Sequence, residues 1–274
     1  MRQTKGYHKL MKLAQRHPKP SPWWFRPDYS DPDYSRRFFL IYDPASEPAA
    51  EALEFFASYV SQGQTLLDIG CGGGAFALAM AQRGLQVTGI DLGPYPIEQA
   101  VSRSEERGLD VEWICGSALE QEFDRQFDCI TLLGSQLREF PPEELQQLLE
   151  KVKQWLKPEG HFISEVGALS PSEREYGSYW YLPEVCLYTD KKALVLGENF
   201  YDEAERVRVL REYALEIQTG RLLVGGSTEK EYTEAELAAM NARAGLQLVA
   251  TYGDWDRSAN TAESKHAICV SKLA

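Results

Sequence analysis

No two of the five cysteines stand at CxxC spacing. Cys71, Cys115, Cys129, Cys186 and Cys269 are scattered and odd in number, which argues against a disulfide framework or a zinc site and makes most of them small apolar core residues. His8, His17, His161 and His266 do not cluster in sequence either. There is no apolar run long enough to span a bilayer, and the N-terminus lacks the apolar core of a secretory signal. The expected compartment is therefore the cytoplasm, with no membrane partner. Internal repeats and low-complexity linkers are also missing. Positive charge is short: 29 Lys and Arg against 41 Asp and Glu leave a net charge of −12, which disfavours a nucleic-acid groove. The basic residues that exist are unevenly placed, with seven of them and no acid in residues 1–27. A solvated terminal arm is the expected reading, and contact with an anionic partner is the alternative.

What is present is ordinary globular material, 43% hydrophobic and 26% charged, near the upper end of a single domain. Residues 1–47 read as an N-terminal arm followed by an irregular aromatic flap, because the prolines of HPKPSPWWFRPDYSDPDY (17–34) oppose a regular helix or central strand. A helix is predicted over 48–61, with Leu53, Phe56 and Val60 on one face. From Thr65 the chain alternates. TLLDI, LQVTGID, VEWICG, FDCITLLG and HFISEVG read as buried strands. AFALAMAQRG, PIEQAVSRSEERG and PPEELQQLLEKVKQWLKPEG read as the helices between them. Such a rhythm implies a mostly parallel sheet covered on both faces. It breaks over 168–232. There, period-two alternation through Val207, Val209, Tyr213, Leu215 and Ile217, with a turn at Thr219-Gly220, predicts one or two antiparallel hairpins. A helix over 203–216 is the alternative. The pattern resumes with a helix over 233–245, opened by a capping box of Thr233 and Glu236 and closed by Gly245, and two final strands follow. The fold class is thus α/β: a Rossmann-like, doubly wound, seven-stranded and mostly parallel sheet over 48–274, with an antiparallel β-hairpin insert after strand five.

The stretch LLDIGCGGG (66–74) carries the chemistry. A glycine-rich turn between a strand and a helix lets a ligand approach the backbone with no Cβ in the way. Gly70, Gly72 and Gly74 have G-x-G-x-G spacing, not the G-x-G-x-x-G of dinucleotide binders. Asp68 precedes them. Asp91 ends the next strand, 21 residues after Gly70, where a doubly wound fold places an acid for ribose hydroxyls.

With these residues in view, LLDIGCGGGAFALAMAQRGLQVTGIDL, FDCITLLG and LLEKVKQWLKPEGHFISEV together resemble the ordered motifs of class I S-adenosylmethionine-dependent methyltransferases. The resemblance is tight over about 65–166 and looser over the last 40 residues. It implies transfer of a methyl group from S-adenosyl-L-methionine, by in-line displacement, to nitrogen, oxygen or carbon of a small molecule. It implies that Gly70, Cys71, Gly72 and Gly74 approach the methionine part and ribose, and that Asp68 orients the loop or accepts from the cofactor amine. Asp91 would bind the ribose hydroxyls, and Leu92, Ser117 and Ala118 would border the adenine. Ser117 stands where the family often has an acid. Leu133 and Gly134 would sit near the sulfonium, with Ser135 and Gln136 just beyond on the substrate side. Tyr34 and Tyr42 would close over the cofactor. Trp180, Tyr181 and Glu184, in an insert resembling that of a bacterial subgroup of small-molecule methyltransferases, would meet the substrate under a cover formed by 168–232. Glu165, after strand five, is the candidate base or amine-orienting carboxylate. No metal is expected, and monomer and homodimer both stay open. The alternatives are a Rossmann oxidoreductase and a catalytically silent methyltransferase-like binding module.

Overall fold

The computed structural model describes residues 23, 25–42, 48–261 and 263–274, so most of the basic arm lies outside the described residues. The chain divides into two compact units. One comprises 29–168 and 232–274, and the other comprises 169–231 with the described residues up to Asp28.

The larger unit is built on a seven-stranded sheet. Its strands are β1 (Thr65–Ile69), β2 (Gln86–Asp91), β3 (Val111–Cys115), β4 (Phe127–Leu132), β5 (Leu156–Gly167), β10 (Leu246–Tyr252) and β11 (His266–Leu273), numbered in chain order. They lie in the order β10-β11-β5-β4-β1-β2-β3. Neighbours from β3 to β5 pair in parallel, and β11 is antiparallel to both β5 and β10. Six α-helices belong to this unit among the described residues: α1 (Pro32–Tyr42), α2 (Ala50–Ala57), α3 (Ala75–Gln82), α4 (Pro94–Arg107), α5 (Pro142–Trp155) and α6 (Glu234–Ala244).

Continuous apolar strands produce a core on each face of the sheet. Leu67, Ile130 and Phe162 pack with Leu145, Leu148 and Trp155 of α5 and Leu237 and Met240 of α6. Their sequence neighbours Leu66, Cys129 and Ile163 pack on the opposite face with Phe55, Phe56 and Met80. The period of two sends adjacent residues to opposite layers. All five cysteines are free thiols. Among the described residues no helix is long and apolar enough to cross a membrane.

The N-terminal flap differs from the sequence reading. Residues 25–31 are irregular, but α1 begins at Pro32. Asp31 caps it, its carboxylate accepting the Tyr34 N–H at 2.7 Å. Proline at the first helical position costs nothing, since its missing N–H has no partner there anyway. The SDPDY signal was thus a helix start, not a helix breaker. The flap is also divided between units at residues 28 and 29. The second helix is shorter than predicted, and Val60 is buried just beyond its end. The capping box of Thr233 and Glu236 and the left-handed Gly245 bound α6 as expected.

The smaller unit is a four-stranded antiparallel meander of β6 (Gly177–Tyr181), β7 (Ala193–Asp202), β8 (Val207–Glu216) and β9 (Leu222–Lys230), in that order. The 203–216 helix alternative is therefore excluded. Alternation holds at the start of β8, but Arg211, Glu212 and Glu216 are also buried, and Ile217 is exposed past the strand end. The buried charges are partnered. Arg211 pairs with Glu198 at 2.6 Å, and Glu212 accepts from the hydroxyls of Tyr179, Tyr181 and Tyr188 at 3.0, 3.3 and 2.8 Å.

Candidate functional site at the glycine turn

The turn from β1 into α3 is tied to β2. The N–H groups of Gly70 and Cys71 both donate to the Ile90 carbonyl, at 2.7 and 3.1 Å. Gly70, Gly72 and Gly74 are all left-handed, with φ of 67°, 53° and 79°, a region only glycine enters freely. They differ in what surrounds them. A Cβ on Gly70 would collide with the Gln136 side chain, one on Gly73 with Arg103 and Phe39, and one on Gly74 with Trp113. A Cβ on Gly72 would meet only open space. Three of the four glycines thus accommodate the protein's own side chains. Gly72 is where the backbone faces room for a ligand.

Asp91 fixes that backbone. Its Oδ2 accepts the Gly72 N–H at 2.9 Å, and its Oδ1 accepts the Gly93 N–H at 2.7 Å. Each oxygen keeps a lone pair for a further donor. Burial raises the Asp91 pKa, with the two backbone N–H groups acting against it. Asp68 lies beneath, 3% exposed, with Oδ1 accepting the Thr131 hydroxyl at 2.8 Å. Burial pushes its carboxyl up to about 7, the Thr131 hydrogen bond opposes the rise, and the Asp91 charge adds to it. Asp68 is thus held by β4 inside the sheet. Cys71 is a buried thiol whose pKa burial drives well up, which suits a spacer and not a nucleophile.

Beside Asp91, Leu92 is exposed at the end of β2, and exposed Cys115 pairs with Asp91 across the strands. The Ser117 hydroxyl accepts the Leu119 N–H at 3.2 Å, turning the chain, and Ala118 packs half-buried against the core. Leu133 is half-buried against the other core layer.

Residues 134–139 are pinned at four points. The Gly134 N–H donates to Glu165 Oε2 at 2.9 Å, and the Gln136 amide donates to the Gly70 carbonyl at 2.6 Å. Arg138 donates to the Gly167 carbonyl at 3.3 Å, and Glu139 accepts the Tyr29 hydroxyl at 2.8 Å. Ser135 is left-handed at φ 62° and opens a short 3-10 helix, Gln136–Glu139. The sequence reading put Gln136 on the substrate side, whereas the structure lays it on the glycine turn. Its length lets it reach back over Gly70, which strand spacing alone does not reveal.

Tyr34 and Tyr42 lie one turn either side of Phe38 on α1, their ring centroids 6.2 and 4.7 Å from it. Tyr42 is 57% exposed. The α1 residues set against the glycines are instead Phe39 at Gly73 and Ser35 at Gly93. Trp180 and Tyr181 are exposed on β6, and Glu184 is exposed in the following loop, all three in the smaller unit.

Sequence reasoning missed His266. It opens β11, with Nδ1 3.5 Å from Glu165 Oε1 and Nε2 3.3 Å from Asp254 Oδ1. Its pairing opposite Gly167 depends on the antiparallel register, which no local pattern specifies. Among the described residues no group of three His, Cys, Asp or Glu side chains is placed to hold a metal ion.

Residues 66–160 match the family model described as a methyltransferase domain. The segment is thus similar to a methyltransferase domain, within a chain whose seven-stranded, mostly parallel sheet is Rossmann-like. A curated relative, the ubiquinone biosynthesis O-methyltransferase of Pseudomonas entomophila (strain L48), is 49% identical over 73 residues, 26% of this chain and 32% of the relative. The chain thus spans about a third of the length of that relative. Among solved structures, the CcbJ methyltransferase from Streptomyces caelestis superposes with TM-score 0.68 at 20% identity, over 88% of this chain and 98% of the other. An S-adenosylmethionine-dependent methyltransferase from Clostridium acetobutylicum superposes with TM-score 0.62 at 16% identity, over 98% and 99%. At these identities the likeness establishes the fold.

Proposed function

We propose that this protein is an S-adenosyl-L-methionine-dependent methyltransferase acting on a small-molecule acceptor. The observation that carries the reading is the pairing of Gly72 with Asp91: a glycine facing open space, its N–H held by a carboxylate with lone pairs to spare. Asp91 would accept both ribose hydroxyls. Leu92, Ser117 and Ala118 would border the adenine, and Leu133 and Gly134 would line the reacting end. When bound, the cofactor supplies an electrophilic methyl group on a good leaving group. The chain's own task is then mostly positioning.

Glu165 is the carboxylate assigned to the acceptor, to orient an amine or take a proton from N–H or O–H. The Gly134 N–H donates to one of its oxygens, and the His266 ring lies 3.5 Å from the other. For Trp180, Tyr181 and Glu184 a substrate role rests on the sequence resemblance. A cytoplasmic location agrees with the free thiols. The acceptor class is tested by incubating the chain with methyl-deuterated S-adenosylmethionine and a panel of catechols, phenols, primary amines and amino sugars. Deuterated methyl on at least one panel member is expected by mass spectrometry. Cofactor binding with no labelled product across the panel would favour a silent binding module.

A further inference from the structure

Gln136 is the one residue among those described that reaches the glycine turn from the end of β4. Its backbone is fixed on both sides: Leu137 is fully buried, and Arg138 and Gly134 are tied to Gly167 and Glu165. Its amide fills the space a Gly70 Cβ would take, with Oε1 nearest to that ideal position. One Nε2 hydrogen is used on the Gly70 carbonyl at 2.6 Å. The second N–H and Oε1 have no hydrogen-bond partner among the described residues. A half-buried amide with one free donor and one free acceptor is complementary to a zwitterion, since the N–H suits a carboxylate and the C=O suits an ammonium.

We propose that Gln136 binds the amino-acid end of the cofactor, its free N–H donating to the carboxylate, and so selects ligands that carry that carboxylate. This deepens the S-adenosylmethionine reading and rests on it. Gln136 is a binding residue here, placed on the cofactor and not on the acceptor. The glycine at position 70 then serves the ligand indirectly. It lets the amide lie flat on the turn and present its remaining polar atoms.

The test is isothermal titration of the full chain with S-adenosylhomocysteine and with S-adenosyl-3-thiopropylamine, which is the same molecule without its carboxylate. The unaltered protein should prefer S-adenosylhomocysteine by about ten- to a hundredfold, the range for a hydrogen bond to a charged group. Gln136→Leu should shrink that preference to within roughly threefold by losing the donor. Gln136→Glu should invert it, because a carboxylate repels one ligand and attracts the ammonium of the other. Thermal melts of each variant confirm that it is folded. The same preference in the unaltered protein and Gln136→Leu overturns the assignment while leaving the cofactor reading intact. No binding of S-adenosylhomocysteine by the unaltered protein overturns both.

Discussion

Asp91→Ala is expected to weaken S-adenosylhomocysteine binding by about 1.5–3 kcal/mol, roughly ten- to more than a hundredfold, the scale of charge-assisted hydrogen bonds. The structure adds a second cost. Both Asp91 oxygens already hold backbone N–H groups, of Gly72 and Gly93. Alanine would strand two donors beside the ligand space and loosen the turn, so a fall in melting temperature should accompany the loss of affinity. Asp91→Asn separates the two effects. It keeps one acceptor oxygen for the turn and removes the charge that favours the ribose hydroxyls. Its melting temperature should lie between those of the other two proteins, with affinity still well below the unaltered chain. Calorimetry that finds Asp91→Ala binding as tightly as the unaltered protein would remove Asp91 from the site.

Asp68→Asn is expected to stabilise the protein at pH 8 and to leave it little changed near pH 4. Burial raises this carboxyl from an ordinary 3.8 to about 7 in the folded chain. Below about pH 4 both the folded and the unfolded chain hold the proton. Between about 4 and 7 only the folded chain holds it, so stability falls as pH rises, and above 7 the loss is complete. A rise of that size corresponds to about 4 kcal/mol. Asparagine keeps an oxygen for the Thr131 hydroxyl, which donates to Asp68 Oδ1 at 2.8 Å, and it has no charge to bury. Urea unfolding of both proteins from pH 4 to 8 measures the difference curve. A difference that grows with pH is expected, and parallel curves would show that Asp68 is not strained by its burial.

Much of the sheet was legible because each parallel strand carries a dense local signal. Leu66–Ile69 and Phe127–Leu132 are apolar runs bounded by turns, and glycine or proline marks the helix ends at Gly108, Pro142 and Gly245. The smaller unit was legible only in part. The turn at Thr219-Gly220 exposed one hairpin, but β6 carries tyrosines and β8 buried charges whose partners are distant in sequence, such as Glu212 for Tyr179 and Tyr181. At the site, Asp68, the glycines and Asp91 could be read because their spacing is local to one strand–turn–helix–strand unit. Gln136 on Gly70 and His266 beside Glu165 could not, because side-chain reach and antiparallel register decide those contacts. Pro32 misled for the opposite reason: its effect on a helix reverses between the first position and the interior.

The central claim is that the turn around Gly72 and Asp91 takes S-adenosylmethionine. Isothermal titration of the unaltered chain with S-adenosylhomocysteine and, separately, with NAD tests it most directly. The account predicts saturable one-to-one binding of S-adenosylhomocysteine and no measurable heat from NAD. Tight binding of NAD with none of S-adenosylhomocysteine would contradict it and make the chain a nicotinamide-dependent protein instead.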